Sequence, residues 1–399
     1  MQREASSTIF RVCRLCDVPR RPQDDSAAAV LKSFDSFEEK FRALYAACEP
    51  PYWQRKPPLG RSYFDWNCLP PGYGKVSRAL TLYASAHLAL GQPDAAMRDV
   101  TALFRMLDSL RDRSTLVETM SGEAICGLYQ QVIWEGLASQ RWNEEHLKTL
   151  DRQLASLDLL ARCDTGLQGE QSALNDWLER TPRRQLAGAT TEILEFSWGF
   201  NGSREPALPL RVFILTCPQG WLRQNQLRVM QRFEGQLSLL DASRQRVYPE
   251  REPPLLAAII AEGHDLNPYT CLARKIAPYC TKAVATTARV QTGLNMARVA
   301  SALERHRLAH GEFPETLTEL SPQFIDTLPH DLVNGLPLNY ARMENDEFVL
   351  YSVGWNAPRD ATKPDPAQPV PARWIWRYPA KEPAASGSRL MASRVETTR

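Results

Sequence analysis

The part of the sequence that most constrains the fold is its last third, where helix-ending residues and short apolar runs follow one another in a fixed order. Apolar residues at helical spacing run from Val284 to His310, Gly311 stands in the usual helix-stop position, and Pro314 prevents the helix from continuing. Two runs of strand-forming residues follow, Leu338–Tyr340 and Glu347–Ser352. The sequence therefore predicts a long helix packed on a small antiparallel sheet.

This segment resembles the globular domain of the major pseudopilins of type II secretion systems. The shared elements are Gly311, Phe313-Pro314, Leu317, Leu320, Leu328-Pro329, Asp331, Gly335, Pro337, Tyr340, Tyr351-Ser352 and Gly354. The resemblance implies an α+β domain over residues 281–360. Filament assembly is not expected, because the residues before the long helix are too polar to span a bilayer. A calcium site is not expected either, because the loop after the last strand offers Arg359 and Asp360 where calcium takes about six to eight oxygens.

A second resemblance concerns a Pro-x-Gly-Trp-x-x-Gln-Asn element in the middle of the chain, formed by Pro218, Gly220, Trp221, Gln224 and Asn225. Uncharacterised bacterial proteins of the planctomycete and verrucomicrobial type carry a similar element ahead of a pseudopilin-like end. That family implies no activity. Gln224 and Asn225 fit either a polar recognition pair or residues that cap the next helix and satisfy loop backbone groups, and we predict the second role.

Helical periodicity dominates residues 34–280. The segment 76–110 resembles a tetratricopeptide-like helical hairpin with its turn at Gly91–Asp94, and the helices predicted near 114–139 and 143–160 would complete a bundle around it. We thus predict a mostly α chain with a C-terminal α+β part. Its segments are an N-terminal extension (1–33), the helical body (34–280), the pseudopilin-like domain (281–360) and a disordered Pro/Ala-rich tail (361–399), from which Trp374–Trp376 is expected to dock back as a strand.

The most apolar runs, Leu210–Cys217 and Leu255–Ala261, are far shorter than the roughly 18 residues of a membrane-spanning helix, and both fit buried strand or helix segments. No transmembrane segment is predicted in the chain as given. As written, the sequence indicates a cytoplasmic protein. Because similar proteins tend to carry an N-terminal membrane anchor, an upstream start site would instead indicate the cell envelope.

Two groups of residues are candidates for chemistry. His306 and His310 lie four residues apart on one helix, which is metal-ligand spacing, although cationic residues are also favoured in a last helical turn. Glu262, His264 and Asp265 form a polar cluster that could supply acid–base catalysis, although such residues commonly act in turns and caps. Neither group completes a known catalytic or metal pattern.

Composition bounds the remaining classes of function. The net charge of +2 does not favour nucleic acid as a partner. The nine cysteines are odd in number and irregularly spaced, which favours reduced thiols, and the Cys13/Cys16 pair lacks the second pair that a zinc site requires. No cofactor is predicted. The first hypothesis is a non-enzymatic interaction or scaffold protein with a protein partner, and the second is a metal-assisted hydrolase that uses one of the two polar groups.

Overall fold

The computed structural model describes residues 24–48, 72–111, 115–188, 207–263, 267–276, 280–343, 347–356 and 374–378. The α-helices are α1 (Asp24–Ser33), α2 (Glu38–Ala47), α3 (Tyr73–Ala89), α4 (Pro93–Asp108), α5 (Leu116–Ala138), α6 (Glu144–Ala155), α7 (Leu159–Arg180), α8 (Ala207–Thr216), α9 (Gln219–Leu237), α10 (Glu252–Gly263), α11 (Cys271–Ile276) and α12 (Thr281–His310). The strands are β1 (Leu240–Asp241), β2 (Arg246–Val247), β3 (Asn339–Met343), β4 (Glu347–Ser352) and β5 (Trp374–Tyr378). The predicted fold class, mostly α with a C-terminal α+β part, is confirmed.

Local sequence signals set many of the helix boundaries. The side chains of Thr115, Asn143 and Asp158 each accept a hydrogen bond from a backbone N–H in the first turn of α5, α6 and α7, respectively. Gly311 ends α12 with a φ of 86°, a left-handed conformation that side-chain-bearing residues rarely adopt. The predicted helical hairpin is present as α3 and α4, which pack against each other, whereas its likeness to tetratricopeptide repeats stays a prediction.

Helix α12 is the central element of the molecule. It packs on α5, α6 and α7 and also against β5, and most of its residues are buried. Its contact with α5 is close at Gly293, where a Cβ atom would lie 2.7 Å from Oε1 of Gln130. Nε2 of Gln130 donates a hydrogen bond to the Val290 carbonyl across this contact, at 2.9 Å.

The buried apolar residues form two clusters, and α12 contributes to both. One cluster contains residues from Phe41 to Tyr378 and so joins the helical body to the C-terminal sheet. The other lies between α7, α9, α11 and the start of α12. The predicted domain boundary at residue 280 therefore coincides with the start of a helix that packs into the preceding helices.

The C-terminal sheet has the order β3-β4-β5, with both pairs antiparallel. The expected docking of Trp374–Trp376 as a strand is confirmed, since β5 pairs with β4 and places Trp376 opposite Leu350. The indole of Trp134 on α5 also donates to the Arg377 carbonyl at 2.8 Å. The rest of the predicted tail, residues 361–373 and 379–399, lies outside the described residues, as do Cys13, Cys16, Arg359 and Asp360.

Candidate functional site

Helix α10 exposes apolar side chains where the sequence predicts burial. Among its residues Leu256 is 37% exposed and Ile260 is 52% exposed, and the alanines and prolines beside them are exposed as well. The prediction that Leu255–Ala261 forms a buried segment is therefore wrong. The physical reason is that α10 lies on the outside of α9, so that only its Leu255 and Ile259 side is partly covered, with Leu255 reaching Gly235.

The second apolar run gives a similar correction. Residues 210–217 lie in and just after α8, where Ile214 and Cys217 are buried but Val212 is 52% and Leu215 is 48% exposed. We call the exposed apolar side chains of α8 and α10, together with the nearby Tyr269, the apolar surface; its large members are Val212, Leu215, Leu256, Ile260 and Tyr269. Monomeric proteins rarely leave large contiguous apolar areas in water, so such a surface is a candidate binding site.

Aromatic contacts join α8 to the start of α9, and the start of α9 to Tyr269, which follows α10 in the chain. The ring of Trp221, at the start of α9, stacks on Phe213 of α8 with 6.2 Å between centroids. The same indole meets Tyr269 edge to face at 5.7 Å. Helix α10 begins beside Gly235, near the end of α9, and the chain returns to the start of α9 at Tyr269.

Asn225 fixes the support behind the surface. Its side chain is fully buried, and its Oδ1 accepts hydrogen bonds from the backbone N–H groups of Leu272 at 2.8 Å and Ala273 at 3.1 Å, at the start of α11. Its Nδ2 donates to the carbonyls of Trp221 and Pro268, at 2.8 and 2.7 Å. Asn225 therefore satisfies a loop backbone group, the Pro268 carbonyl, as predicted, but it lies inside α9 and caps α11 rather than the next helix. Gln224 is exposed.

Two further side chains of α9 hold the following segments in place. Nη1 of Arg232 donates to the Ala273 carbonyl at 3.0 Å, and Oε1 of Gln236 accepts from the Cys280 N–H at 2.6 Å. Helix α9 therefore positions α11 and the first turn of α12 through polar contacts that are buried from water. The apolar surface thus lies on a support whose geometry is fixed by hydrogen bonds.

The structure brings His306 and His310 together. Their rings are 4.2 Å apart between centroids, and both meet Phe324 edge to face. The Nδ1 of His306 is 2.9 Å from the Glu312 carbonyl oxygen, and that of His310 is 3.1 Å from the His306 carbonyl oxygen. Each ring thus has one nitrogen on a backbone carbonyl, that of His306 just beyond the end of α12 and that of His310 within its last turns. Within the described part of the chain, no group of three His, Cys, Asp or Glu side chains could hold a metal ion.

The other predicted polar cluster cannot be assembled from the described residues. Glu262 belongs to the last turn of α10, but its side chain lies outside the described residues, and so do His264 and Asp265. An open cleft of about 410 Å³ is present elsewhere, between α7 and the β1–β2 hairpin. Burial and the nearby Asp241 raise the pKa of Asp164 in this cleft. Asp241 itself accepts from the Ser243 hydroxyl at 2.7 Å, which is turn chemistry.

A buried Tyr–Asp–His cluster joins the first three helices of the body. Nδ1 of His87 lies 2.8 Å from Oδ2 of Asp99, and the Tyr45 hydroxyl donates to the other oxygen of the same carboxylate. Burial, together with Asp99, raises the pKa of Tyr45 above its ordinary value. Asp99 is completely buried and His87 nearly so. This cluster holds α2 on the α3–α4 hairpin, so His87 has a packing role.

Sequence reasoning missed the apolar surface, although a signal was present. The run from Pro253 to Ala261 is apolar at every position, so periodicity could not show which side faces the protein. The two prolines at the start of this run and its short length would also suit a helix at an interface.

Two further findings come from a search for membrane-spanning helices and from comparison with known proteins. No helix in the described ranges is both long and apolar enough to cross a membrane. No model of a known protein family, no curated protein and no solved structure gives a significant match to this chain, so the resemblance to pseudopilins stays a prediction.

Proposed function

We propose that this chain is a non-enzymatic docking protein that attaches to a larger assembly through the apolar surface. The observation that carries the proposal is α10, a helix whose outward side chains are all apolar from Pro253 to Ala261. Water around such side chains is unfavourable, and a binding event that covers them gains the free energy of apolar burial.

The size of this gain supports binding. Complete burial of a Leu, Ile or Val side chain contributes about 1.5 to 3 kcal/mol. The four aliphatic members of the apolar surface are each between 37% and 52% exposed, so covering the rest yields about 3 to 6 kcal/mol in total. Association and side-chain ordering offset part of this, and contacts from neighbouring polar groups must add to it.

The geometry around the apolar surface supports docking rather than catalysis. Asn225, Arg232 and Gln236 hold the elements behind it, and each uses its polar atoms on backbone groups of this chain. A rigid support with an apolar outer layer lowers the entropy lost on binding. The helical body and the C-terminal α+β part, which we call the head, would then position other surfaces of the chain relative to the attachment point.

Site-specific photo-crosslinking tests the proposal directly. A benzophenone side chain at Ile260 is expected to form an adduct in cells that express the full chain, because the apolar surface is covered there. The same probe at Leu336, which is 61% exposed on the head, is the matched control. Equal labelling at both positions, or no adduct at Ile260, would refute docking through this surface.

Metal content separates the proposal from the hydrolase alternative. Protein purified without chelator and without an affinity-tag histidine is compared by elemental mass spectrometry with the double variant His306→Ala, His310→Ala. We expect the same metal content in both, because each ring has one nitrogen on a backbone carbonyl. Stoichiometric zinc or iron that disappears in the double variant would favour the hydrolase alternative.

A further inference from the structure

The outward side of α10 is unusually wide. Its exposed residues are Pro253, Pro254, Leu256, Ala257, Ala258, Ile260 and Ala261. At about 100° per residue these positions cover an arc of about 200°, more than half of the helix circumference. A folded protein partner commonly contacts one stripe of a helix, whereas fluid hydrocarbon can surround a convex helix over such an arc.

The length of α10 also favours contact with hydrocarbon. Helix α10 has 12 residues, which is too short to cross a bilayer and suits a helix that lies in the boundary between headgroups and acyl chains. Aromatic residues accompany it. Trp221 is partly exposed and Tyr269 is 45% exposed, and both residue types favour the headgroup level, where one end of the ring is apolar and the other is hydrated.

Two exposed arginines lie on the helices that form and support the apolar surface. Helices α8, α9 and α10 together contain four arginines and three glutamates. Of the arginines, Arg211 and Arg228 are exposed, Arg232 is buried, and Arg223 lies 3.6 Å from Glu179 of α7. Arg211 lies on the same side of α8 as Leu215, four residues later. Among the carboxylates nearby, Glu252 accepts a hydrogen bond from the Trp355 indole at 2.6 Å and so is directed towards the head. Guanidinium groups form paired hydrogen bonds with phosphate oxygens.

From this combination we infer that the occupant of the apolar surface is the surface of a membrane that contains anionic lipids. Helix α10 and the exposed residues of α8 enter the acyl boundary, Trp221 and Tyr269 lie at headgroup level, and Arg211 and Arg228 bind lipid phosphates. The inference rests on the proposed docking function and specifies its partner. The chain as a whole has a net charge of only +2, so the attraction is local to this side of the molecule.

Sedimentation with vesicles tests the inference on the full chain. Phosphatidylcholine vesicles are compared with vesicles that also contain phosphatidylglycerol. We expect binding to the mixed vesicles, weaker binding to phosphatidylcholine alone, and a decrease with added salt as the arginine contacts are screened. Hydrogen–deuterium exchange should show protection of residues 207–216 and 252–263 on the mixed vesicles.

A matched pair of variants links binding to this surface. Leu256→Ser with Ile260→Ser should lower the vesicle partition coefficient about tenfold or more, because two aliphatic side chains no longer enter the apolar phase. Leu308→Ser with Leu336→Ser changes two leucines that are at least as exposed, 48% and 61%, and should leave binding unchanged. Far-UV circular dichroism and urea unfolding check that both variants fold.

The outcomes are distinct. The inference is overturned if the wild-type protein does not bind the mixed vesicles or binds both vesicle compositions equally. It is also overturned if the variant with the α10 substitutions binds as strongly as the wild type. In that case a protein adduct from the Ile260 crosslinker would leave the docking function standing with a different partner. A failure of both experiments would overturn the docking function as well.

Discussion

Replacement of Glu123 by Gln is expected to stabilise the protein increasingly as the pH rises from 4.5 to about 8. Glu123 lies on α5, is only 5% exposed, and accepts a hydrogen bond from the Thr287 hydroxyl of α12. Burial raises the pKa of its carboxyl group from 4.5 to about 8, and the Thr287 hydrogen bond offsets only part of that effect. The folded protein therefore keeps this carboxyl protonated at neutral pH, whereas the unfolded chain ionises it.

The sign and the size follow from proton linkage. Below pH 4.5 the carboxyl is protonated in both states, so the full stability is present. Between pH 4.5 and about 8 the unfolded chain loses a proton that the folded protein keeps, and stability decreases by about 1.4 kcal/mol per pH unit. The total loss of stability is about 5 kcal/mol, and this group causes little further change above pH 8. Gln carries no charge at any pH and retains an acceptor for the Thr287 hydroxyl.

Urea unfolding followed by far-UV circular dichroism measures the effect. The free energies of unfolding of wild type and Glu123→Gln are compared at several pH values between 5 and 8.5, and their difference is expected to grow with pH. Glu145→Gln is the matched control, since Glu145 is exposed and its hydrogen bond with Lys148 lowers its pKa. A difference between wild type and Glu123→Gln that stays constant with pH would refute the reasoning.

Three further substitutions probe single buried contacts by urea unfolding. Asn225→Ala should lower the free energy of unfolding by about 2 to 4 kcal/mol and speed hydrogen exchange in residues 267–276. Gln224→Ala should change both little, and equal effects of the two substitutions would contradict the capping role. Asp331→Ala should lower the free energy of unfolding by about 2 to 4 kcal/mol, because Asp331 accepts from the backbone N–H groups of Val333, two residues later, and of the distant Val353; an unchanged midpoint would argue against it. Gly293→Ala should lower the free energy of unfolding by about 1 to 3 kcal/mol through overpacking, while Gly127→Ala, where the new Cβ atom meets open space, should stabilise the protein.

The end of α12 and the docking of Trp374–Trp376 as a strand were predictable because the residues themselves carry the signal. Gly311 and Pro314 stop α12 through backbone geometry, and that signal is present in a few consecutive residues. The strand at Trp374–Tyr378 was predictable because large aromatic residues inside a polar, proline-rich segment need an apolar surface to cover them. In each case the residue type itself restricts the conformation or the environment.

Contacts between distant segments could not be predicted in the same way. Asn225 shows polar character but not which helix it caps, because its partners Leu272 and Ala273 are placed by the tertiary fold. The exposure of Leu256 and Ile260 was missed because apolar sequence indicates a need for cover without saying what supplies it. The candidate site is therefore a property of the assembled helices.

The late position of β5 has a consequence for the order of folding during synthesis. β4 pairs with β5 from Phe348↔Tyr378 to Ser352↔Trp374, and β5 also contacts α5 and α12. Because proteins emerge from the ribosome starting with the N-terminus, the helices and the β3–β4 hairpin leave the exit tunnel before Trp376 and Tyr378 are available to them. Until then, one edge of β4 is unpaired and the apolar side of α12 that β5 covers is exposed. A nascent chain that stalls before residue 374 therefore presents an unpaired strand edge, to which chaperones or neighbouring chains can bind.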